Sequence, residues 1–407
     1  MPYKIAIIGG GGAGMMTAYL LNKAGHRVSV FEKQEILGGN IRTSNKNLKI
    51  EGIDKNLFLE GGVIEFPEKF IIFKNILQEL GVKQTPVVTS SGLFSNDGKV
   101  RMSLEMLRKN RKGTDKIGAY CDYLSMQVSS VFLWLKARNI TGAELYNKSL
   151  EEALGANSIG STWFKNLAMY SYSIPFKNIS NFPAELAVPS LRDYMMGDWF
   201  RIEGGVYSYI EKIIETFNGE IHCNADIQGI ERSSSGILLY KDGKKEHYDK
   251  VVFAVPPNKV LKLLNDPTSC EVKRFQDWKG NSAESIIHSD LSFYKKYHVK
   301  YPSEFDFFET RDGWGYNAYL NQLCGINGNT PYNLSYNLKS LIDPNKIVHI
   351  LKHETPFYHV KSFAHRNEII RHNGENHTYH AGAYLGDGLH EGAALSAKRI
   401  ADLVKQV

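Results

Sequence analysis

The sequence predicts an α/β protein in which a Rossmann-type nucleotide-binding domain carries an inserted α+β domain. Three observations predict it. A glycine-rich turn joins a β-branched run to a helical stretch near residue 10, a second strand–glycine turn–helix pattern follows residue 378, and the intervening chain changes from helical to strand-like character. At one domain per ~150 residues, 407 residues make two or three folding units. Apolar residues at 43% and charged residues at 23% are ordinary globular composition, which excludes a disordered or coiled-coil chain. A net charge of +6 is too small for a dedicated nucleic-acid binder. Cys121, Cys223, Cys270 and Cys324 form no CxxC pair, and the 13 histidines show no HExxH spacing, so no metal site and no disulfide framework is expected. Reduced thiols fit a cytoplasmic location. No stretch reaches the ~18–20 apolar residues that span a bilayer. The four-residue run Ile5 to Ile8 reads as a buried strand rather than a leader.

The opening unit runs strand, Gly9-Gly10-Gly11-Gly12-Ala13-Gly14, helix to about residue 24, and second strand 27–31 ending at Glu32. This is a βαβ unit with GxGxxG at Gly9, Gly11 and Gly14. The first glycine permits the tight turn, the second lets a pyrophosphate approach the backbone, and the third lets helix and strand pack closely. The amides of Gly12 and Ala13 open the helix, whose N-terminus supplies partial positive charge. Glu32 ends the second strand, where a carboxylate accepts bonds from a ribose diol and repels a 2′-phosphate, with Lys33 beside it.

Directly afterwards, Leu37-Gly38-Gly39-Asn40-Ile41-Arg42-Thr43 forms a second glycine turn. It resembles the GGRxxT segment of the flavin amine oxidase and phytoene desaturase superfamily, in which paired glycines pass the cofactor phosphates. Asn40 stands at the usual Arg position and Arg42 lies two residues on. Thr378 to Ala383, with Gly382, reads as a strand entering a turn. Gly386-Asp387-Gly388-Leu389-His390-Glu391-Gly392-Ala393 then opens a terminal helix, and together they resemble the superfamily's second FAD fingerprint. Ile202 to Ile210, Asn224 to Ile227, and Val251 to Pro257 with Ala254 resemble its middle blocks. The resemblance covers roughly 3–66, 200–260 and 376–405.

The resemblance implies a glutathione-reductase-like FAD domain made of 1–66, 200–280 and 371–407. The substrate domain is then 67–199, helical at 71–80, 117–139 and 149–154, and 281–370, with strands at 284–290, 314–323 and 346–354. It implies noncovalent FAD, with Gly61, Gly62, Ile227, Ala254, Gly382, Gly388, Leu389, His390 and Ala393 at the cofactor. Flavin amine oxidases carry a Lys bonded through water to N5, and the corresponding Ala283-Glu284-Ser285-Ile286-Ile287-His288 has none. Leu389 stands where their aromatic cage takes a Tyr, and Tyr384 is a substitute aromatic. Glu60 to Ile64, His288-Ser289-Asp290 and the 386–391 block are similar to a bacterial branch of predicted FAD-binding oxidoreductases associated with fatty-acyl modification.

These departures leave the catalytic residues to His390 and His288, whose imidazoles titrate near neutral pH. Asp290, Tyr316 and Asn317 are expected beside them. The expected activity is dehydrogenation of a largely apolar small molecule (fatty-acyl, isoprenoid-like or amine) by hydride transfer to flavin N5, with oxygen or a quinone as acceptor. A flavin-dependent sugar-nucleotide mutase and a non-catalytic flavin-binding partner are the alternatives. Arg108, Lys109, Arg111, Lys112 and Lys116 form a basic cluster before the apolar stretch 128–135. It is a solvated loop or a docking patch for a membrane or carrier, and Phe132, Trp134 and Leu135 are expected in the core.

Overall fold

The computed structural model describes residues 2–155, 158–194 and 197–405. Lys4–Ile8 and Arg27–Phe31 pair in parallel on either side of the helix Gly12–Lys23 that joins them. Lys250–Phe253 and Thr378–His380 extend the sheet on one side and Glu220–His222 on the other, giving five parallel strands drawn from three separated parts of the chain. Alternation sets the two faces. Ile5, Ile7, Val28 and Val30 pack with Met15, Ala18 and Leu21 of the first helix and Ala397, Ile400 and Val404 of the terminal helix His390–Lys405. Ala6, Ile8, Phe31 and Val251 face Ile230, Leu239 and Tyr248 of a three-stranded antiparallel sheet.

A second, seven-stranded sheet has the order Ile347–Phe357, Lys279–His288, Asn333–Tyr336, Gly313–Tyr319, Phe305–Thr310, Ser91–Phe94 and Val100–Arg101. All neighbours are antiparallel except Phe305–Thr310 against Ser91–Phe94. The helices Ile71–Glu79, Asp115–Asn139 and Leu150–Leu154 lie where the sequence predicts them. Strands Ser91–Phe94, Phe305–Thr310 and Asn333–Tyr336 are additional, and the strand expected over 314–323 stops at Tyr319, after which Leu320–Leu323 is a helical turn.

One packing expectation is overturned. Phe132 and Leu135 are exposed, and Trp134 is half-buried with its indole N–H donating to the Arg192 carbonyl at 3.3 Å. The inward side of that helix is filled by Met126, Leu133 and Ala137, so no room is left for Phe132. Among the described residues no helix is long and apolar enough to cross a membrane.

Candidate functional site

The first strand ends at a turn that only glycine can make. Gly9 has φ +109°, and a Cβ there would lie 2.6 Å from the Ala254 carbonyl oxygen. A Cβ on Gly14 would lie 1.9 Å from the Gly9 carbonyl oxygen, so the helix meets its strand through bare backbone. Gly11 is different: a Cβ there would meet nothing nearer than Gly39 Cα at 3.7 Å. The second glycine turn is docked on the first, with Gly38 N–H donating to the Gly10 carbonyl at 2.8 Å. No side chain caps the first turn of the Gly12–Lys23 helix. The two turns therefore form a backbone-walled groove floored by an uncapped helix N-terminus, which suits a phosphate.

Glu32 accepts from Gly10 N–H at 2.7 Å and Gln34 N–H at 2.9 Å. Arg42 donates to Gln34 Oε1 at 2.6 Å and so turns toward Glu32, while Asn40 donates to the Glu354 carbonyl at 2.9 Å. The guanidinium at this mouth is Arg42. Lys33 is exposed and pairs with Asp226 at 3.2 Å. Ala254 N–H bonds the Ile8 carbonyl, and Ile227 opens the strand that follows Ala225, itself bonded to the Glu32 carbonyl.

At the other end of the groove, Gly61 and Gly62 are clamped. Gly61 N–H donates to the Arg42 carbonyl at 2.7 Å, and its own carbonyl receives Ser285 Oγ at 2.8 Å and His353 Nε2 at 2.9 Å. A Cβ on Gly62 would lie 2.3 Å from the Asn40 carbonyl oxygen. Burial holds His353 below the usual imidazole range, so it is a neutral donor. Glu60, pushed up to about 8 by burial, joins Thr43 Oγ1 at 2.8 Å to Val206 N–H at 2.7 Å. In the C-terminal turn Gly388 has φ +78°, and Asp387 accepts from the Leu389 and Gly392 amides at 2.8 Å. Gly382 N–H bonds Ser396 Oγ, and Ala393 is buried in the helix interface.

The flavin containing amine oxidoreductase family matches residues 13–343, most of the chain. The chain belongs to this family. Among curated relatives, an L-amino-acid oxidase of Siganus canaliculatus is 21% identical over 313 residues, covering 72% of this chain and 57% of that protein. One of Daboia russelii is 40% identical over 95 residues, 23% of this chain and 18% of that protein. The chain thus spans under two thirds of these relatives. Among solved structures, putrescine oxidase bound to putrescine superimposes with a TM-score of 0.68 at 16% identity over 100% of both chains. A conjugated-linoleic-acid-producing fatty acid isomerase from P. acnes gives 0.70 at 16% identity over 99% of this chain and 98% of that one. At such identities these likenesses concern the fold.

The cofactor of the family is FAD, and this flavin family's groove fits it: the space over Gly11 is a cradle that a single Cβ would enter, beside helix amides that lack a cap.

The two histidines expected to be catalytic lie in different surroundings. His288 is fully buried. Its Nδ1 accepts from Asp290 N–H at 3.1 Å, and its Nε2 meets Asn317 Oδ1 at 3.1 Å and Ser335 Oγ at 2.9 Å. Burial pulls it down to about 4, so it is a neutral, satisfied part of the sheet. Asn317 belongs to that network, and Asp290 ties down Ser292 and Asp343. His390 packs its ring 5.0 Å from Phe66 and 5.2 Å from Phe73, with Nε2 3.4 Å from Tyr209 Oη. It lies beneath Gly12, and burial holds it neutral at about 4. His390 thus packs against the first turn of the Gly12–Lys23 helix. The neighbouring Glu391 caps the Ile71–Glu79 helix, accepting from the Ile72 and Phe73 amides at 2.9 Å.

Sequence reasoning missed Glu65. Tyr170 Oη donates to its Oε1 at 2.6 Å, while its buried Oε2 has no partner among the described residues. Burial pushes it up to about 7. Tyr170 stacks on Phe305 at 5.2 Å and meets Tyr316 edge-on at 4.8 Å. Nearby, a cleft of about 500 Å³ is lined by Leu57, Glu60, Ile64, Arg201, Cys324 and Ile326. Tyr384 is buried edge-on to Trp278 at 5.4 Å.

Proposed function

We propose that the protein is an FAD-dependent oxidoreductase that dehydrogenates a largely apolar small molecule. Bound FAD supplies the hydride acceptor. Gly9–Gly14 and Gly38–Gly39 would hold its phosphates by backbone, Glu32 would take the ribose diol, and Arg42 would supply the cation that Asn40 lacks. Gly388, Leu389 and the start of the terminal helix line the far end. No cysteine is enlisted, and the cofactor is held without a covalent bond.

The observation that carries this reading is the clamp on Gly61, whose carbonyl receives both Ser285 and His353. That clamp holds bare backbone against the Asn40–Arg42 turn, where a substrate could approach bound flavin. Ser285 occupies the strand on which amine oxidases carry Lys, and its hydroxyl serves Gly61 instead. Glu65, pushed up to about 7 by burial and with one oxygen left without a partner among the described residues, suits the task of taking a proton. Bound FAD would accept the hydride, and the unpartnered Oε2 of Glu65 would take the accompanying proton. Apolar substrates of fatty-acyl or isoprenoid type reside in a membrane or on a carrier, so their delivery calls for a surface that meets one; oxygen or a quinone then accepts the electrons.

The test is the visible spectrum of the purified protein, before and after heat release. Two flavin bands released on unfolding, and bleached anaerobically by an apolar acyl or amine substrate, are expected. A colourless protein that takes up no added FAD overturns the reading.

A further inference from the structure

The Asp115–Asn139 helix is apolar on two opposite sides. Met126, Ser130, Leu133 and Ala137 recur at helical spacing and are buried against the Ile159–Tyr172 and Ala184–Asp193 helices. On the opposite side Ile117, Leu124, Val128 and Phe132 are 68%, 56%, 54% and 69% exposed, joined by Tyr120, Val131 and Leu135. At about 100° per residue, all seven fall within an arc of about 120° centred opposite Met126. Between residues 117 and 135 the only charged side chain is Asp122. The strip is about 27 Å long at ~1.5 Å per residue. Single exposed apolar residues are ordinary on a protein surface; a contiguous uncharged strip of this length marks an interaction site.

Cations bracket it. Arg108, Lys112 and Lys116 lie before or at its start. Arg111 donates to the carbonyls of His298 at 2.9 Å and Tyr297 at 3.0 Å, which brings Lys295, Lys296 and Lys300 to the same end. At the other end Arg138 lies over the Trp134 ring at 4.9 Å.

We propose that this face of the 115–139 helix seats on an anionic membrane surface, with the apolar strip in the interfacial layer and the bracketing cations on headgroup phosphates. An amphipathic helix lying in the interface has this arrangement, apolar residues on one side and Lys or Arg at its margins. A second copy of the chain is the poorer occupant. In a two-fold pair of such helices, whichever way they run, cationic end meets cationic end, and the helix carries only Asp115 and Asp122 to offset them. The assignment rests on this helix alone and is independent of the flavin reading.

The experiment is flotation of the full chain with vesicles of equimolar phosphatidylglycerol and phosphatidylcholine, against vesicles of phosphatidylcholine only, with light scattering on the lipid-free protein. Flotation with the anionic vesicles, weakened by salt, is expected. The variant L124Q/V128Q/F132Q changes only exposed positions, so it folds as the parent does. It should bind the anionic vesicles about 1,000-fold more weakly, from roughly tenfold per apolar side chain withdrawn. K112E/K116E should weaken binding to the anionic vesicles while leaving thermal unfolding unchanged. The proposal is overturned if the parent floats with neither vesicle, if the triple variant floats as well as the parent, or if scattering shows a dimer that the triple variant dissolves while the parent ignores lipid.

Discussion

Replacing Gly11 by alanine separates the cofactor groove from the fold that builds it. Gly11 has φ −74° and ψ −179°, extended backbone that alanine adopts freely. Its Cβ would meet no protein atom closer than 3.7 Å, which is ordinary contact. The apoprotein should therefore unfold within about 1 kcal/mol of the parent, with the smaller entropy of the unfolded chain favouring the variant. The same methyl stands in the space assigned to the pyrophosphate. Forcing one methyl into a packed contact costs about 1–3 kcal/mol, so FAD affinity should fall about 5- to 150-fold. Gly14→Ala is the control, because its methyl would lie 1.9 Å from the Gly9 carbonyl oxygen. That variant should lose stability even without cofactor. Thermal unfolding of both apoproteins and FAD titration by flavin fluorescence read the two quantities separately. A Gly11→Ala protein that binds FAD as tightly as the parent refutes the placement of the groove; equal loss of apoprotein stability in both variants refutes the claim that Gly11 faces a cradle.

Substitutions at four other positions probe the site and its support. Glu65→Gln should slow flavin reduction and abolish a rate increase with pH through about 7, because the carboxylate form that takes the proton is populated above that value; His390→Ala should leave that midpoint in place, and the reverse pattern would restore the histidine as relay. Substituting His353 by Ala removes one of two donors to the Gly61 carbonyl. It should weaken FAD binding and shift the flavin potential, both of which His353→Gln should partly rescue. Glu271 is pushed up by burial but drawn down further by Arg232 and the Thr268 amide, to about 2. Because its folded value lies below the unfolded 4.5, its stabilisation is full above pH 4.5 and is lost as pH falls toward 2. At ~1.4 kcal/mol per unit this amounts to about 3 kcal/mol. Acid titration followed by circular dichroism should show a shallower slope for Glu271→Gln, together with lower stability at pH 7.

The glycine turns were legible from the chain because their physics is local. A residue that must take positive φ, or pass within van der Waals distance of a neighbouring carbonyl, is glycine whatever lies elsewhere, and Gly9, Gly14 and Gly388 carry that requirement in their identity. The parallel sheet followed from β-branched runs bounded by those turns. Strand partners were less legible: Ser91–Phe94 is four residues long and becomes a strand by pairing with Phe305–Thr310, more than 200 residues away.

Side-chain roles depended on pairing that no local pattern encodes. In Lys279–His288, Ser285 and Ile287 face the groove side, while Ile286 and His288 face the opposite cluster, so the histidine is structural and the serine reaches Gly61. Ser285 and His353 meet only because their strands pair with Ser285 opposite Leu351. The 115–139 helix is apolar on both sides, so its hydrophobic period identifies no inward face. The sequence alone determined the backbone chemistry of the nucleotide groove, since torsion and close approach are properties of single residues. Tertiary structure alone decided what each histidine packs against, which carboxylate oxygen is left without a partner among the described residues and which apolar face meets solvent, since burial is a property of what lies opposite.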